Sequence, residues 1–287
     1  MSATIDLHPI QLFFKDVGRN ITQYFRDHLV ANYRDEVQTI IYPLKWFLYE
    51  LRNFLEWIPI PIAFAIFIFF AYKIVGKRFA VWSFVLYGLM WAFDLWNDMM
   101  VTYAMMIVAL TVCIVIGIPI GIWGGKSKRA WRILKPTLDI LQVVPTTVYL
   151  IPVVMFFGIG IFPGTMCVIL FAIVPIAKLT AISIQEVPRG QVEAAHSVGL
   201  SKFKTLTRVE IPQSLYGILC GLNQTIMMAL GMVVIAGIIG AGGIGSNILT
   251  AISRIDIGAG VINGVAITWM AIYLDKLTIG IANKYAR

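Results

Sequence analysis

Three groups of residues have types and spacings that chemistry or mechanical work would need. The first is Glu193-Ala194-Ala195, followed after three residues by Gly199 and after nine more by Val209-Glu210-Ile211-Pro212. Two adjacent alanines let a short helix approach a partner surface closely. Gly199 permits a turn at positive φ after that helix. Leu200 and Phe203 then offer apolar side chains to a groove, and Ser201 suits the N-cap of a second short helix carrying Phe203, Leu206 and Val209. Pro212 fits the first turn of the next helix, where a missing N–H costs little. A helix–turn–helix of this kind can transmit a rigid-body motion. The second group is polar and lies inside apolar runs. Gln142, Thr146 and Tyr149 fall on one helical face at i, i+4 and i+7. Asn223, Gln224 and Met227 lie within a later run. Amides in lipid must face a bundle or a cavity, and Pro145 and Pro152 weaken the helix and free its carbonyls. These six are candidates for a translocation path, with interhelical hydrogen bonding as the alternative for the amides and ordinary helix packing for the Gln142 face. The third group, Gly240-Ala241-Gly242-Gly243-Ile244-Gly245, satisfies G-x-G-x-x-G. It lacks the strand–turn–helix setting that gives the motif meaning and reads as a close-packed turn.

No catalytic or metal-ligating set emerges. Cys113, Cys167 and Cys220 each sit in an apolar run without CxxC spacing. His8, His28 and His196 do not cluster in sequence, and His196 falls inside the loop segment. There is no Walker A sequence, so any ATP is expected on another chain.

The elements that must position these residues are membrane spans. Of 287 residues 59% are hydrophobic and 13% charged, with a mean hydropathy of +0.82. Soluble domains carry about 25% charge. The composition excludes disordered, collagenous, disulfide-scaffold and ordinary cytosolic classes and points to an all-α polytopic membrane protein. Uncharged runs at 57–72, 79–93, 99–125, 140–177, 211–253 and 257–274 predict about seven spans. Gly158 to Gly164 splits the 38-residue run in two, and a glycine-rich segment follows a helix over 214–239. Lys178 and Asp139 are expected at the membrane interface, the lysine by snorkelling. Trp57, Trp82, Trp91 and Trp123 are expected in interfacial belts. Lysine and arginine fill alternate loops, at Lys73, Lys77 and Arg78, at Lys126 to Lys135, at Arg189 to Arg208 and after Lys276. The positive-inside rule puts those loops and the C-terminus in the cytoplasm and the N-terminus outside, which also accounts for the net charge of +8 without nucleic acid. The chain therefore divides into an N-terminal segment, 1–53, and a membrane domain, 54–287, containing the loop 185–212. In the N-terminal segment Ile40, Ile41, Leu44, Phe47, Leu48 and Leu51 recur at helical spacing. They predict an amphipathic helix, lying in the interface or packed on the spans, in which Pro43 is acceptable only in the first turn.

The loop pattern resembles the EAA loop of binding-protein-dependent ABC transporter permeases, in which EAA is followed by glycine and then by Ile-x-Leu-Pro. Glu193, Ala194, Ala195, Gly199 and Pro212 match it, while Val209 and Ile211 are conservative replacements. From about Tyr103 to Ile281 the chain resembles the permease subunit of glycine betaine/proline betaine importers. The residues carrying this are Ile118-Pro119-Ile120-Gly121-Ile122-Trp123, Thr147 to Met155, Phe157-Gly158-Ile159-Gly160, Gly221 to Thr225, Met232 to Ala236 and Arg254 to Gly258. The resemblance implies a MetI-like ABC permease fold in the bacterial inner membrane. It also implies a permease homodimer, cytoplasmic ABC ATPase subunits holding ATP and Mg, an extracytoplasmic solute-binding protein, and no cofactor on this chain. ATP-driven closure of the ATPases would push the loop around Glu193–Phe203 and switch the spans. Any cage of aromatics for a methylated cation would belong to the binding protein. The implied cargo is a small osmolyte such as glycine betaine, proline betaine, choline or a related methylated compound. A permease for another small substrate such as an amino acid is the alternative. A secondary transporter is a further reading, but it would need membrane charges arranged as a relay, and spans three to seven hold almost none.

Overall fold

The computed structural model describes residues 8–285, so the charges read at Asp6 and Arg287 lie outside the described residues. All regular structure among the described residues is helical. α1 (His8–Tyr24) passes through a π turn (Phe25–Val30) into α2 (Ala31–Trp57). Pro59 turns the chain into α3 (Ile60–Phe70), which ends in a second π turn, and α4 (Lys77–Ala92) follows Gly76. α5 (Trp96–Val112) continues through Cys113–Gly117 into α6 (Ile118–Lys126). Ser127 caps α7 (Lys128–Val143), and α8 (Leu150–Phe157) precedes the long α9 (Ile161–Gln185). After α10 (Arg189–Ser197) and α11 (Lys202–Thr205) comes α12 (Ile211–Ala236), then α13 (Gly243–Arg254) and α14 (Ile257–Tyr285).

Four continuous helical runs are long and apolar enough to cross a membrane: Trp96–Lys126, Ile161–Gln185, Lys202–Ile239 and Ile257–Ile281. Two pairs bent by 104° and 102° would raise the count to six. The expectation of about seven exceeds the six by the run 79–93, and the four by the runs 57–72 and 140–157 as well, which count only as parts of the bent pairs. The run 79–93 forms only the 16-residue α4. The run 140–157 straddles a sharp corner, because Val144 and Pro145 are extended with ψ of 129° and 132°. The residue before a proline disfavours the α region. A helix (α13) also occupies part of the segment read only as glycine-rich.

Small residues set the central packing. α6 and the π turn before it lie on α9 through Gly117, Gly121 and Gly125, and α12 lies on the same helix through Gly217 and Gly221. Without a hydrophobic force between helices in lipid, such close approach supplies the dispersion contacts. The core beside them contains Met105, Met106, Cys113, Cys167, Val168, Ile226 and Met232. A second core joins α3, α4, α5 and α14 through Phe67, Tyr87, Trp96, Tyr103, Trp269 and Tyr273. Its tyrosine tips are paired, while the Trp269 indole N–H has no partner among the described residues: Tyr87 and Tyr103 share a hydroxyl hydrogen bond at 2.5 Å, and the Tyr273 hydroxyl donates to the Phe67 carbonyl at 2.7 Å. Trp57, Trp82, Trp91 and Trp123 are all exposed on the bundle, as belt residues must be.

The apolar stripe of the N-terminal segment is used on one side only. Leu48 is fully buried, with Ile41, Leu44, Leu51 and Leu55 packed around the core, while Ile40 and Phe47 face outward. α2 thus packs on the spans, chiefly on α5, and its axis turns by 104° from that of α3. Pro43 lies inside this 27-residue helix and not in its first turn, contrary to expectation. Leu48→Ala should destabilise the protein by about 2–4 kcal/mol, since it opens a cavity under α2. Faster proteolysis between α1 and α3, with a lower melting temperature in detergent, is the expected readout.

Candidate functional site

The segment carrying the Glu-Ala-Ala pattern forms a compact elbow between α9 and α12. Pro188 is extended (ψ 126°) and starts α10. At the other end Leu200 N donates to the Ala195 carbonyl at 3.1 Å and Gly199 N to the His196 carbonyl at 2.9 Å. Gly199 has φ +81°. These are the paired bonds of a Schellman C-cap, which needs a left-handed residue at that point. The two alanines divide their work: Ala195 is buried while Ala194 and Glu193 are exposed. Ser201 Oγ accepts from Lys204 N at 3.4 Å, as expected for an N-cap.

The second arm departs from expectation. α11 does not end as a separate short helix. It runs through a π turn (Leu206–Glu210) into α12, giving one helix over Lys202–Ile239. Pro212 therefore lies near the start of α12 but inside a continuous helix. The wide turn directly before it, where Ile211 N reaches back to the Leu206 carbonyl, absorbs the missing proline N–H. The same device recurs where the π turn Cys113–Gly117 precedes Pro119. Phe203 is 73% exposed and offers the apolar surface expected of it. Leu200, Val209 and Ile211 are half-buried and brace the elbow. The sequence reading missed Val198, 78% exposed, which stands on the same elbow as Phe203. Arg189, Lys202, Lys204 and Arg208 are exposed in the same segment. A cleft of about 530 Å³ opens beside the elbow, lined by Lys126, Lys128, Trp131, Arg189, Glu193 and Glu210 among others.

The polar candidates within the spans separate into two places. Gln142, Thr146 and Tyr149 do not share a helical face, because the corner at Val144–Pro145 falls between the first and the other two. Gln142 ends α7, where its amide oxygen is 3.5 Å from Lys178 Nζ. Lys178 forms an ion pair with Asp139 at 2.5 Å, which ties α9 to α7. The Tyr149 hydroxyl folds back to the Leu141 carbonyl across the corner. The short turn Thr146–Tyr149 packs against α12. On α12, Gln224 and Met227 fall on an exposed stripe with Gln213, Tyr216, Gly231 and Ile238, and Asn223 borders it, half-buried. At the far end of the bundle the glycine motif makes a turn with φ of +72°, +80° and +69° at Gly240, Gly242 and Gly243. A short 3-10 helix precedes it, not a strand, and Ile244 N donates to Thr102 Oγ1 at 3.0 Å. It seats α13 on α5 and offers no dinucleotide site. Among the described residues no cluster of His, Cys, Asp and Glu could hold a metal ion.

An all-α bundle with at least four candidate spans among the described residues, and a braced helical elbow between two of them, fits the membrane subunit of a transporter. Residues 117–282 match the family described as binding-protein-dependent transport system inner membrane component, and the chain belongs to that family. Over 252 residues it is 41% identical to the glycine betaine/proline betaine transport system permease protein ProW of Escherichia coli, covering 88% of this chain and 71% of that one. It is 42% identical to the glycine betaine/carnitine transport permease protein GbuB of Listeria monocytogenes, covering 71% and 73%. It is 34% identical to the glycine betaine transport system permease protein OpuAB of Bacillus subtilis, covering 92% and 94%. An inward-facing structure of the MetNI methionine ABC transporter superposes with a TM-score of 0.59 at 20% identity, covering 65% of this chain and 94% of that one. That likeness speaks for the fold alone. The chain is thus an ABC-type permease, an inner membrane component of a transport system.

Proposed function

We propose that this chain is the permease through which an ATP-driven importer passes a small methylated osmolyte of the glycine betaine class. The observation that carries the substrate class is the 41% identity to a betaine permease across 71% of that protein's length. The likeness to the methionine transporter, at 20% identity, gives no support to an amino-acid cargo. The working complex is a homodimer of this chain with two ATPase subunits, which hold ATP and Mg, and a solute-binding protein on the opposite face. The elbow of loop 185–212 faces the cytoplasm and docks on the ATPase. Val198 and Phe203 enter its groove, Glu193 and Ala194 form the contact face, and Ala195, Gly199, Leu200, Val209, Ile211 and Pro212 hold the shape. The Schellman cap and the exposed apolar pair support this role, since a plain connector needs neither. The N-terminus lies outside and the C-terminus inside, as the loop charges require. The N-terminal segment 1–53, described from His8 onward, places an amphipathic helix on the outer face of the membrane domain 54–287. The exposed α12 stripe with Gln224 and Met227, bordered by Asn223, lines the path with Thr146 and Tyr149, and Gln142 contributes at its inner end. An exposed amide in mid-span favours a watery path over lipid.

The test is gentle extraction of the complex from its native membrane, followed by reconstitution. An ATPase subunit should co-purify, and ATP-dependent uptake of glycine betaine should fall at least about tenfold in Glu193→Lys, which places a cation in an already basic elbow. A preparation that never carries an ATPase, or a charge-reversed variant that transports at the wild-type rate, would overturn the assignment.

A further inference from the structure

Two ion pairs among the described residues join separate helices, and one of them stands at the root of the elbow. Lys126 Nζ donates to both Glu210 carboxylate oxygens, at 2.6 and 2.9 Å. Lys126 is the last residue of α6, and Glu210 the last residue of the π turn that leads the elbow into α12. The residues are 84 positions apart. Glu210 is only 3% exposed, while Lys126 remains open to the cleft beside Glu193. We infer that the Lys126–Glu210 pair is a transmission strut, which carries displacement of the elbow into the α6–α9 pair of spans. This inference rests on the coupling role proposed for the elbow.

The physical reason is the burial of Glu210. A carboxylate with so little exposure at the cleft wall is unfavourable unless its partner stays in place, so parting the two charges is costly while Glu210 remains buried. The π turn on which Glu210 sits is the pliable part of the elbow–α12 helix, because a wide turn can change register at little expense. A push on α10 and α11 would dissipate there if nothing tied the turn to a neighbour. α6, by contrast, is locked onto α9. Cβ atoms at Gly121 and Gly125 would meet Ala177 O at 2.6 Å and Ile184 Cβ at 2.7 Å, and Gln185 Nε2 donates to the Gly124 carbonyl at 3.3 Å. The strut therefore ends on a rigid unit and begins on a pliable one. Lys126 and Glu210 are positioning residues, and neither is asked to touch ATP or cargo.

The experiment uses the full complex with its own ATPase and binding protein in liposomes, with glycine betaine as the probe. The readout is ATP hydrolysed per solute imported, measured only on assembled complexes. In Glu210→Gln this ratio should rise about tenfold, because motion is lost at the slack turn. The charge exchange Lys126→Glu with Glu210→Lys should bring it back to within about twofold, which a loss of packing would not allow. An unchanged ratio in assembled Glu210→Gln overturns the strut. So does failure of that variant to assemble, which would make the pair a folding element. If Glu193→Lys uncouples while Glu210→Gln does not, the strut fails and the elbow assignment stands. If neither changes transport, both readings fall.

Discussion

Gly121→Ala should destabilise this protein by about 2–3 kcal/mol, and Gly121→Leu should prevent its recovery in folded form. A Cβ at Gly121 would sit 2.6 Å from the Ala177 carbonyl oxygen and 2.6 Å from Thr180 Cβ. The oxygen is backbone within α9 and cannot swing aside, so α6 would have to lift from its neighbour. Gly117 and Gly125 continue the same row, with Cβ positions 2.6 Å from Ile176 Cγ2 and 2.7 Å from Ile184 Cβ. Lifting α6 would forfeit contacts along all three. In lipid that loss is not offset by any hydrophobic gain elsewhere, since association rests on packing itself. Gly231→Ala is the matched control: nothing lies within 4 Å of its Cβ site and its φ is ordinary. It should leave the melting temperature in detergent unchanged, within the shift expected from about 0.5 kcal/mol. Equal melting temperatures for the Gly121 and Gly231 alanine variants would refute the packing account.

Much of this architecture is legible because helices announce their ends. The break at Gly158–Gly160, the glycine turn before α13 and the left-handed position at Gly199 are all marked by residues that a regular helix would not choose. The elbow is legible for the same reason: its cap, its turn and its N-cap serine follow one another within a few residues. The corner in the α7–α8 region was also written in the sequence, at Val144-Pro145, but the attractive i, i+4, i+7 spacing of Gln142, Thr146 and Tyr149 hides it. Periodicity counts residues without asking whether the backbone between them can be helical. The pairs Lys126–Glu210 and Asp139–Lys178 were out of reach for a different reason. Their members are 84 and 39 residues apart, and only the packing order of α6, α7, α9 and α12 brings them together. A retrospective signal exists for the two carboxylates, since Glu210 is the last charge before 43 uncharged residues and Asp139 the last before 38, where a lone carboxylate needs a partner. The π turns at Cys113–Gly117 and Leu206–Glu210 were equally hidden, although each precedes a proline by two residues.

Substitutions at Gly199 should rank by tolerance of the left-handed region and not by size. Nothing lies within 4 Å of the Cβ site, so added bulk meets no neighbour and the whole effect comes from φ +81°. An L-residue held there is strained by about 1–2 kcal/mol, while asparagine is tolerated better because its side chain can satisfy local backbone groups. A strain of that size lowers the fraction of elbows in the competent turn by about 5- to 30-fold. ATP-dependent uptake by the reconstituted complex should therefore fall in the order glycine, asparagine, alanine, valine. Gly199→Val should lose at least about tenfold, because branching at Cβ adds to the conflict. Unravelling of the cap would free the Ala195 and His196 carbonyls that Leu200 and Gly199 now satisfy. Faster amide exchange at those two donors should accompany the loss of uptake and should follow the same order. Valine and asparagine variants that transport alike would mean the turn can reform without a left-handed residue, and the elbow would then be too compliant to act as a lever.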